Sequence, residues 1–249
     1  MQSTDHDASV TAFSGRLQLA RGKARHAADL ARELGAPERA AQYQAGVAVW
    51  EALFEKGLEA KRSADAALKL SKGRDVEYGA ALARALSGDS PGAQVLMSDL
   101  AERFPEDTSV RTSYLPVLHA LLALNRHEPA SAIPMLEPAV HYELGTPGSS
   151  FNGNFGALYP IYVRGEAWLA AQKGAEATAE FRKIIAHSGI VFTDPIGALA
   201  RWRLGKALAM SGDKLRAKTA YKDFLDLWKD ADTDIPILKE AKAEYAKLQ

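Results

Sequence analysis

Residues 158–185 read LYPIYVRGEAWLAAQKGAEATAEFRKII, and residues 198–225 read ALARWRLGKALAMSGDKLRAKTAYKDFL. With Gly165 set on Gly205, a small residue follows twelve positions on in both copies, Ala177 and Ala217. An aromatic comes four further, Phe181 and Tyr221, and an apolar residue three beyond that, Ile184 and Phe224. Apolar residues three and four apart share one face of an α-helix. Small residues placed between two such stretches allow two antiparallel helices to approach closely, so Gly165 is expected opposite Ala177 and Gly205 opposite Ala217. Phe181 and Tyr221 would fill the space towards the next hairpin. One hairpin leaves an apolar face uncovered, so the pattern requires neighbours.

The same spacing of twelve, four and three can be laid along the rest of the chain. It selects Gly15, Ala27, Ala31 and Leu34; then Ala48, Ala60, Ala64 and Ala67; then Ala81, Ala93, Met97 and Leu100; then Ala120, Ala132, Leu136 and Ala139. Gly22, Gly88 and Gly212 each lie seven residues after a first small position and are expected at the turn inside a hairpin, where glycine takes the left-handed conformation. Ser87-Gly88-Asp89 and Ser211-Gly212-Asp213 repeat one turn phrase, with the aspartate as cap of the second helix. Unit starts fall 33, 33, 39, 45 and 40 residues apart. The added length is expected between hairpins, at 143–157, rich in Gly, Ser and Asn, and at 187–197, where Asp194-Pro195 opens a helix. Residues 1–9 are polar and expected to be disordered. A last helix over about 236–248 carries Leu238, Ala241, Tyr245 and Leu248 on one face and is expected to cap the array. Sustained two-residue alternation is missing throughout, so no strand is expected.

Hairpins with these small positions, at a period near 34 residues, resemble the tetratricopeptide repeat (TPR). The fold class expected is all-α: a right-handed superhelix of about six hairpins and a capping helix, one domain over residues 10–249. Longer phrases carry a second resemblance: RFPEDTSVRTSYLPVLHALLALNR, LEPAVHYELG, GIVFTDPIGALARWRLGKALAMSGD and the closing YKDFLDLWKDADTDIPILKEAKAEYAKLQ. They are similar to the C-terminal TPR region of bacterial Ser/Thr protein kinase–TPR fusion proteins, in which a kinase domain and a membrane segment precede the array. The resemblance covers about Ser71 to Gln249 and implies a sensory or docking region in signalling. The kinase domain itself is absent here: no G-x-G-x-x-G loop, H-R-D or D-F-G occurs.

Composition narrows the function classes. Apolar residues make up 47% and charged residues 25%, with 31 basic and 31 acidic side chains and a net charge of zero, which gives no electrostatic footprint for nucleic acid. The chain has no cysteine, which excludes disulfides, thiolate metal sites and a cysteine nucleophile. Neither a signal peptide nor a membrane-spanning run is read, so no membrane insertion is expected. The location expected is cytoplasmic for a free-standing chain and periplasmic if a kinase and membrane segment precede it.

Chemistry-bearing motifs are sparse. Asp230, Asp232 and Asp234 alternate as calcium ligands can, but the sixth and twelfth loop positions are Ile235 and Ala241 rather than Gly and Glu, so a turn and a helix cap are expected instead. The six histidines form no H-x-x-x-H pair. No nucleophile elbow occurs, so no catalytic, cofactor-binding or metal site is assigned, and the chain is read as a non-enzyme. What remains is the inner face of the superhelix, lined by first helices. With the small residue as position eight, positions two, five, nine and twelve would point inward. They place Tyr78, Tyr114, Leu121, Tyr159, Tyr162, Glu166, Trp202 and Lys206 there as candidates for a peptide groove. A protein-interaction scaffold that binds a peptide segment is the function expected. A small-molecule-sensing repeat domain and an RNA-binding helical repeat are the alternatives.

Overall fold

A computed structural model describes residues 2–145 and 158–248. Within them the chain forms helices and no strand. Three hairpins come first: α1 (Gln2–Phe13) with α2 (Leu17–Glu33), α3 (Pro37–Leu53) with α4 (Gly57–Leu70), and α5 (Arg74–Leu86) with α6 (Ser90–Arg103). A fourth pairs α7 (Leu115–Asn125) with α8 (Pro129–Met135), and a fifth α9 (Tyr159–Ala170) with α10 (Gly174–Ala186). The short α11 (Ser188–Val191) leads to a sixth, α12 (Ile196–Met210) with α13 (Lys214–Leu227), and α14 (Pro236–Ala246) follows. Each first helix packs on its own second helix and on the hairpin before it, and α14 packs on α13.

Each hairpin turns at one repeated position, seven residues after the small residue. Gly88 and Gly212 sit there with φ of 75° and 83°, and Asp89 and Asp213 accept from the amides of Gly92 and Arg216 as caps. Three other units place Glu55, His127 and Gln172 at the same position with φ of 62°, 61° and 59°. These residues adopt a left-handed backbone that glycine takes without steric cost.

The first unit departs from the expected register. Its turn is Gly15, with φ of 75°, and Gly22 lies inside α2. Counting back seven residues gives Ala8, and the spacing then selects Ala20, Ala24 and Ala27, all buried. An alanine-rich helix offers a small residue in nearly every register, so only the turn glycine distinguishes them. Helix α1 also includes residues 2–9, which the sequence leaves as a disordered start. Ala8 is buried with Ala24 of α2 and Val47 of α3, which ties that part of the helix to the array.

The small positions of the fifth and sixth units face aromatic rings rather than alanines. A Cβ on Gly165 would lie 2.7 Å from the Phe181 ring, and one on Gly205 2.8 Å from the Tyr221 ring. Phe181 and Tyr221 thus pack inside their own hairpins. Gly205→Ala is therefore expected to lose about 1–2 kcal/mol net, because overpacking at a buried ring outweighs a helix-propensity gain of about 1 kcal/mol. Gly22→Ala, whose Cβ would meet nothing within 4 Å on an exposed helix face, is expected to gain about 0.5–1 kcal/mol. Thermal denaturation of the pair should move the midpoint in opposite directions. Two shifts of the same sign would contradict the assigned packing.

Candidate functional site: a concave face closed by the chain itself

The structure packs the eight groove candidates within the chain rather than leaving them free. Tyr78, Tyr114, Leu121, Tyr159, Tyr162 and Trp202 are all buried. Tyr78 and Tyr114 stack with ring centroids 3.7 Å apart, and the Tyr114 hydroxyl donates to Asp75 at 2.8 Å. Tyr159 donates to Asp194 at 3.2 Å. Glu166, half-buried, pairs with Arg203 at 2.7 Å, and Lys206 pairs with Glu240 of α14 at 2.6 Å. Trp202 donates to Glu244 of α14 at 3.0 Å, with Arg203 over its ring at 4.0 Å.

The residues expected to line a peptide groove are thus buried or paired within the chain. The aromatics pack between hairpins and under α14, and Glu166 and Lys206 are engaged within the chain. The reason is curvature. A wide superhelix leaves inner side chains at an open surface, whereas this one is tight enough for its two ends to meet.

That meeting is made by residues assigned no role from sequence. The Trp228 indole donates to the Phe13 carbonyl at 3.0 Å and meets Phe54 edge-on at 5.0 Å between centroids. Asp232 donates its amide to the Gly15 carbonyl at 3.0 Å, and its carboxylate accepts from the Gln18 amide at 2.8 Å. Asp234 pairs with Lys56 at 2.6 Å, and Ser9 and Thr193 share a hydroxyl hydrogen bond of 2.7 Å. Two of the three alternating aspartates therefore join the C-terminal segment to the turns of the first two hairpins. Among the described residues no cluster of His, Asp or Glu could hold a metal, and no helix is long and apolar enough to cross a membrane.

The inter-hairpin insertions differ from each other. Glu143, expected at the start of an exposed loop, is buried and ion-paired to Arg164 at 2.6 Å. Residues 146–157 lie outside the described residues. In the second insertion Asp194 accepts from the Ile196 amide at 3.0 Å and so opens α12.

Burial raises the Asp194 carboxyl to about 7, against the opposing pull of the Ile196 amide and the Tyr159 hydroxyl. An acid whose folded value is raised holds its proton in the folded state over a range where the unfolded chain, titrating near 4, has released it. Stability from this group is full below about pH 4, falls as pH rises towards 7, and then levels. Asp194→Asn is expected to become more stable relative to the parent by about 1 kcal/mol or more between pH 5 and pH 7.5. Urea denaturation of both proteins across that range checks it. A difference independent of pH would show that Asp194 ionises normally.

The repeated hairpins, their shared turn and the stacking of first and second helices define the architecture. The fold is TPR-like. The solved structure of yeast Tom70 is similar to this chain with a TM-score of 0.50 and 16% sequence identity. The match covers 92% of this chain and 43% of the Tom70 chain, so this chain spans less than half the length of the structure it matches. The sequence matches no protein-family model and no curated protein. At this identity the likeness concerns the fold alone.

Proposed function

We propose that this chain is a non-catalytic protein-interaction scaffold that engages its partner on the outer face, formed by the second helices α4, α6, α10 and α13. The observation that carries this reading is the closure of the inner face. The inward aromatics are buried, and Glu166, Lys206, Asp232 and Asp234 are paired within the chain. A TPR-like array without catalytic motifs supports a scaffold, and the exposed surface lies outside. Leu58 and Leu215 occupy the same place near the start of α4 and α13 and are 63% and 79% exposed. Exposed leucines at a repeated position suit contact with another protein. The resemblance of residues 71–249 to kinase-associated arrays suggests bacterial Ser/Thr-kinase signalling as the context.

Lysine cross-linking of the captured complex, with mass spectrometry, tests the assignment. Lys61, Lys183 and Lys222 lie on second helices, whereas Lys206 lies on the first helix α12 and is paired to Glu240 of α14. Links to the partner are expected on the first group, and Leu58→Asp with Leu215→Asp is expected to reduce capture. Links concentrated at Lys206 would mean that the partner binds on the first helices, and the proposal would fail.

A further inference from the structure

Each first helix from α3 on packs on the second helix before it and on its own second helix, and part of its surface faces the space, or slot, between the two. The floor is formed by positions four and one before the small residue and three after it. In three slots each charged floor residue is neutralised by a flanking element. Over α3, Glu51 pairs with Arg21 at 2.6 Å. Over α5, Glu77 pairs with Arg103 at 2.9 Å, and Arg84 pairs with Asp89 at 2.6 Å and with Asp65. Over α9, Arg164 pairs with Glu143 at 2.6 Å and Glu180 at 2.9 Å. The floor over α7 is Pro116, His119 and Ala123.

The slot over α12 breaks this pattern. Its floor is Arg201, Leu204 and Leu208, and an open cleft of about 240 Å³ lies over it between α10 and α13. Arg201 is half-buried and donates to the Gly197 carbonyl of its own helix, and no carboxylate among the described residues lies within ion-pairing distance. The flanking helices add more positive charge, Arg182 from α10 and Arg216 from α13, against the single carboxylate of Asp223. Arg216 reaches only Asp213, at 3.5 Å and largely exposed. Burial lowers the Arg201 guanidinium from its ordinary value, with Asp223 opposing. Each charged floor residue over α3, α5 and α9 thus has an ion-pair partner, whereas Arg201 over α12 has none within salt-bridge distance among the described residues.

We infer that the slot over α12 is a docking site for an anionic side chain of a protein partner, a phosphoserine or a glutamate with an apolar neighbour. Guanidinium groups bind carboxylate and phosphate oxygens in pairs, and three of them around one cleft suit a group with several oxygens. Leu204 and Leu208 suit the adjoining apolar residue. The cleft is smaller than the roughly 300–1,000 Å³ of pockets that enclose whole small molecules, which favours a side chain inserted from a larger body. The inference rests on the outer-face scaffold reading and narrows it to one slot. Cross-links on α4 and α6 alone would leave that reading standing while this one fails.

The test uses fluorescence anisotropy of the full chain with three labelled seven-residue peptides, identical except for phosphoserine, glutamate or glutamine between two leucines. Saturable binding is expected for the phosphoserine and glutamate peptides, and at least tenfold weaker binding for glutamine. Arg201→Met and Arg182→Met are expected to weaken the anionic peptides at least tenfold with unchanged circular dichroism melts, and Arg126→Met, on the fourth hairpin, to leave them unchanged. Equal binding of the glutamine peptide, equal loss with Arg126→Met, or no binding of any peptide would overturn the site. Phenyl phosphate that competes as tightly as the phosphoserine peptide binds would overturn the assignment to a protein side chain.

Discussion

Trp228→Ala is expected to destabilise the protein by about 3–5 kcal/mol, the range for emptying a large aromatic site in a core. Trp228 is 1% exposed and lies where three parts of the chain converge. Its ring meets Phe224 of its own hairpin at 4.7 Å and Phe54 from the second hairpin at 5.0 Å, and its indole N–H satisfies the Phe13 carbonyl. Gly15 lies so close that a Cβ there would come within 2.8 Å of the indole. Removing the ring therefore opens a cavity and strips a carbonyl of its donor at the junction of the two ends. Trp228→Phe keeps most of the apolar contact and loses the N–H, so a smaller loss is expected, about 1–3 kcal/mol. Urea denaturation measures both. Hydrogen exchange should speed up in the Ala variant at the Gly15 and Glu55 turns. An unchanged midpoint in Trp228→Ala would mean that the ends do not depend on this contact.

Arg164→Met is the second large effect, again about 3–5 kcal/mol, because one member of a buried ion-paired group is removed and the others stay. Arg164, Glu143 and Glu180 have side chains 8%, 6% and 10% exposed. Burial opposes the Arg164 charge, and the two carboxylates more than offset it, holding the guanidinium above its ordinary value. Lys183 lies 3.0 Å from Glu180 and 3.9 Å from Glu143, and it compensates only in part from its more exposed position. Replacing all three buried charges, Arg164→Met with Glu143→Leu and Glu180→Leu, is expected to restore most of the loss, since no uncompensated charge then remains. A single variant that loses less than 1 kcal/mol, or a triple variant no better than the single, would show that the group is not held as buried charges.

The hairpins of units two to six were legible because their signals are local. The helix spacing from Gly165 to Ile184 and from Gly205 to Phe224, and the Ser-Gly-Asp turns at Gly88 and Gly212, each lie within about twenty residues, and helix periodicity with turn chemistry reads such spans directly, whereas the contact of each glycine with the aromatic ring rather than the alanine came only from packing. The first unit was misread by seven residues because α2 offers Ala20, Ala24, Ala27, Ala28 and Ala31 at helical spacings that fit more than one register. Glu55, His127 and Gln172 at left-handed turn positions carried no glycine to reveal them.

The sequence by itself determined an all-α repeat array, the helix pairing of its later units and the lack of catalytic motifs. It also marked Tyr159, Tyr162 and Trp202 as one face of the first helices, and all three are buried. Whether that face is a groove or a core was decided only by the tertiary structure. Curvature is the sum of small rotations at every hairpin interface, so contacts between Phe13 and Trp228, or Lys56 and Asp234, follow from packing across some two hundred residues and leave no short-range pattern. The excess charge over α12 is of the same kind. Arg182, Arg201 and Arg216 lie on three helices and look like ordinary solvated arginines in sequence, and only their convergence on one cleft distinguishes them.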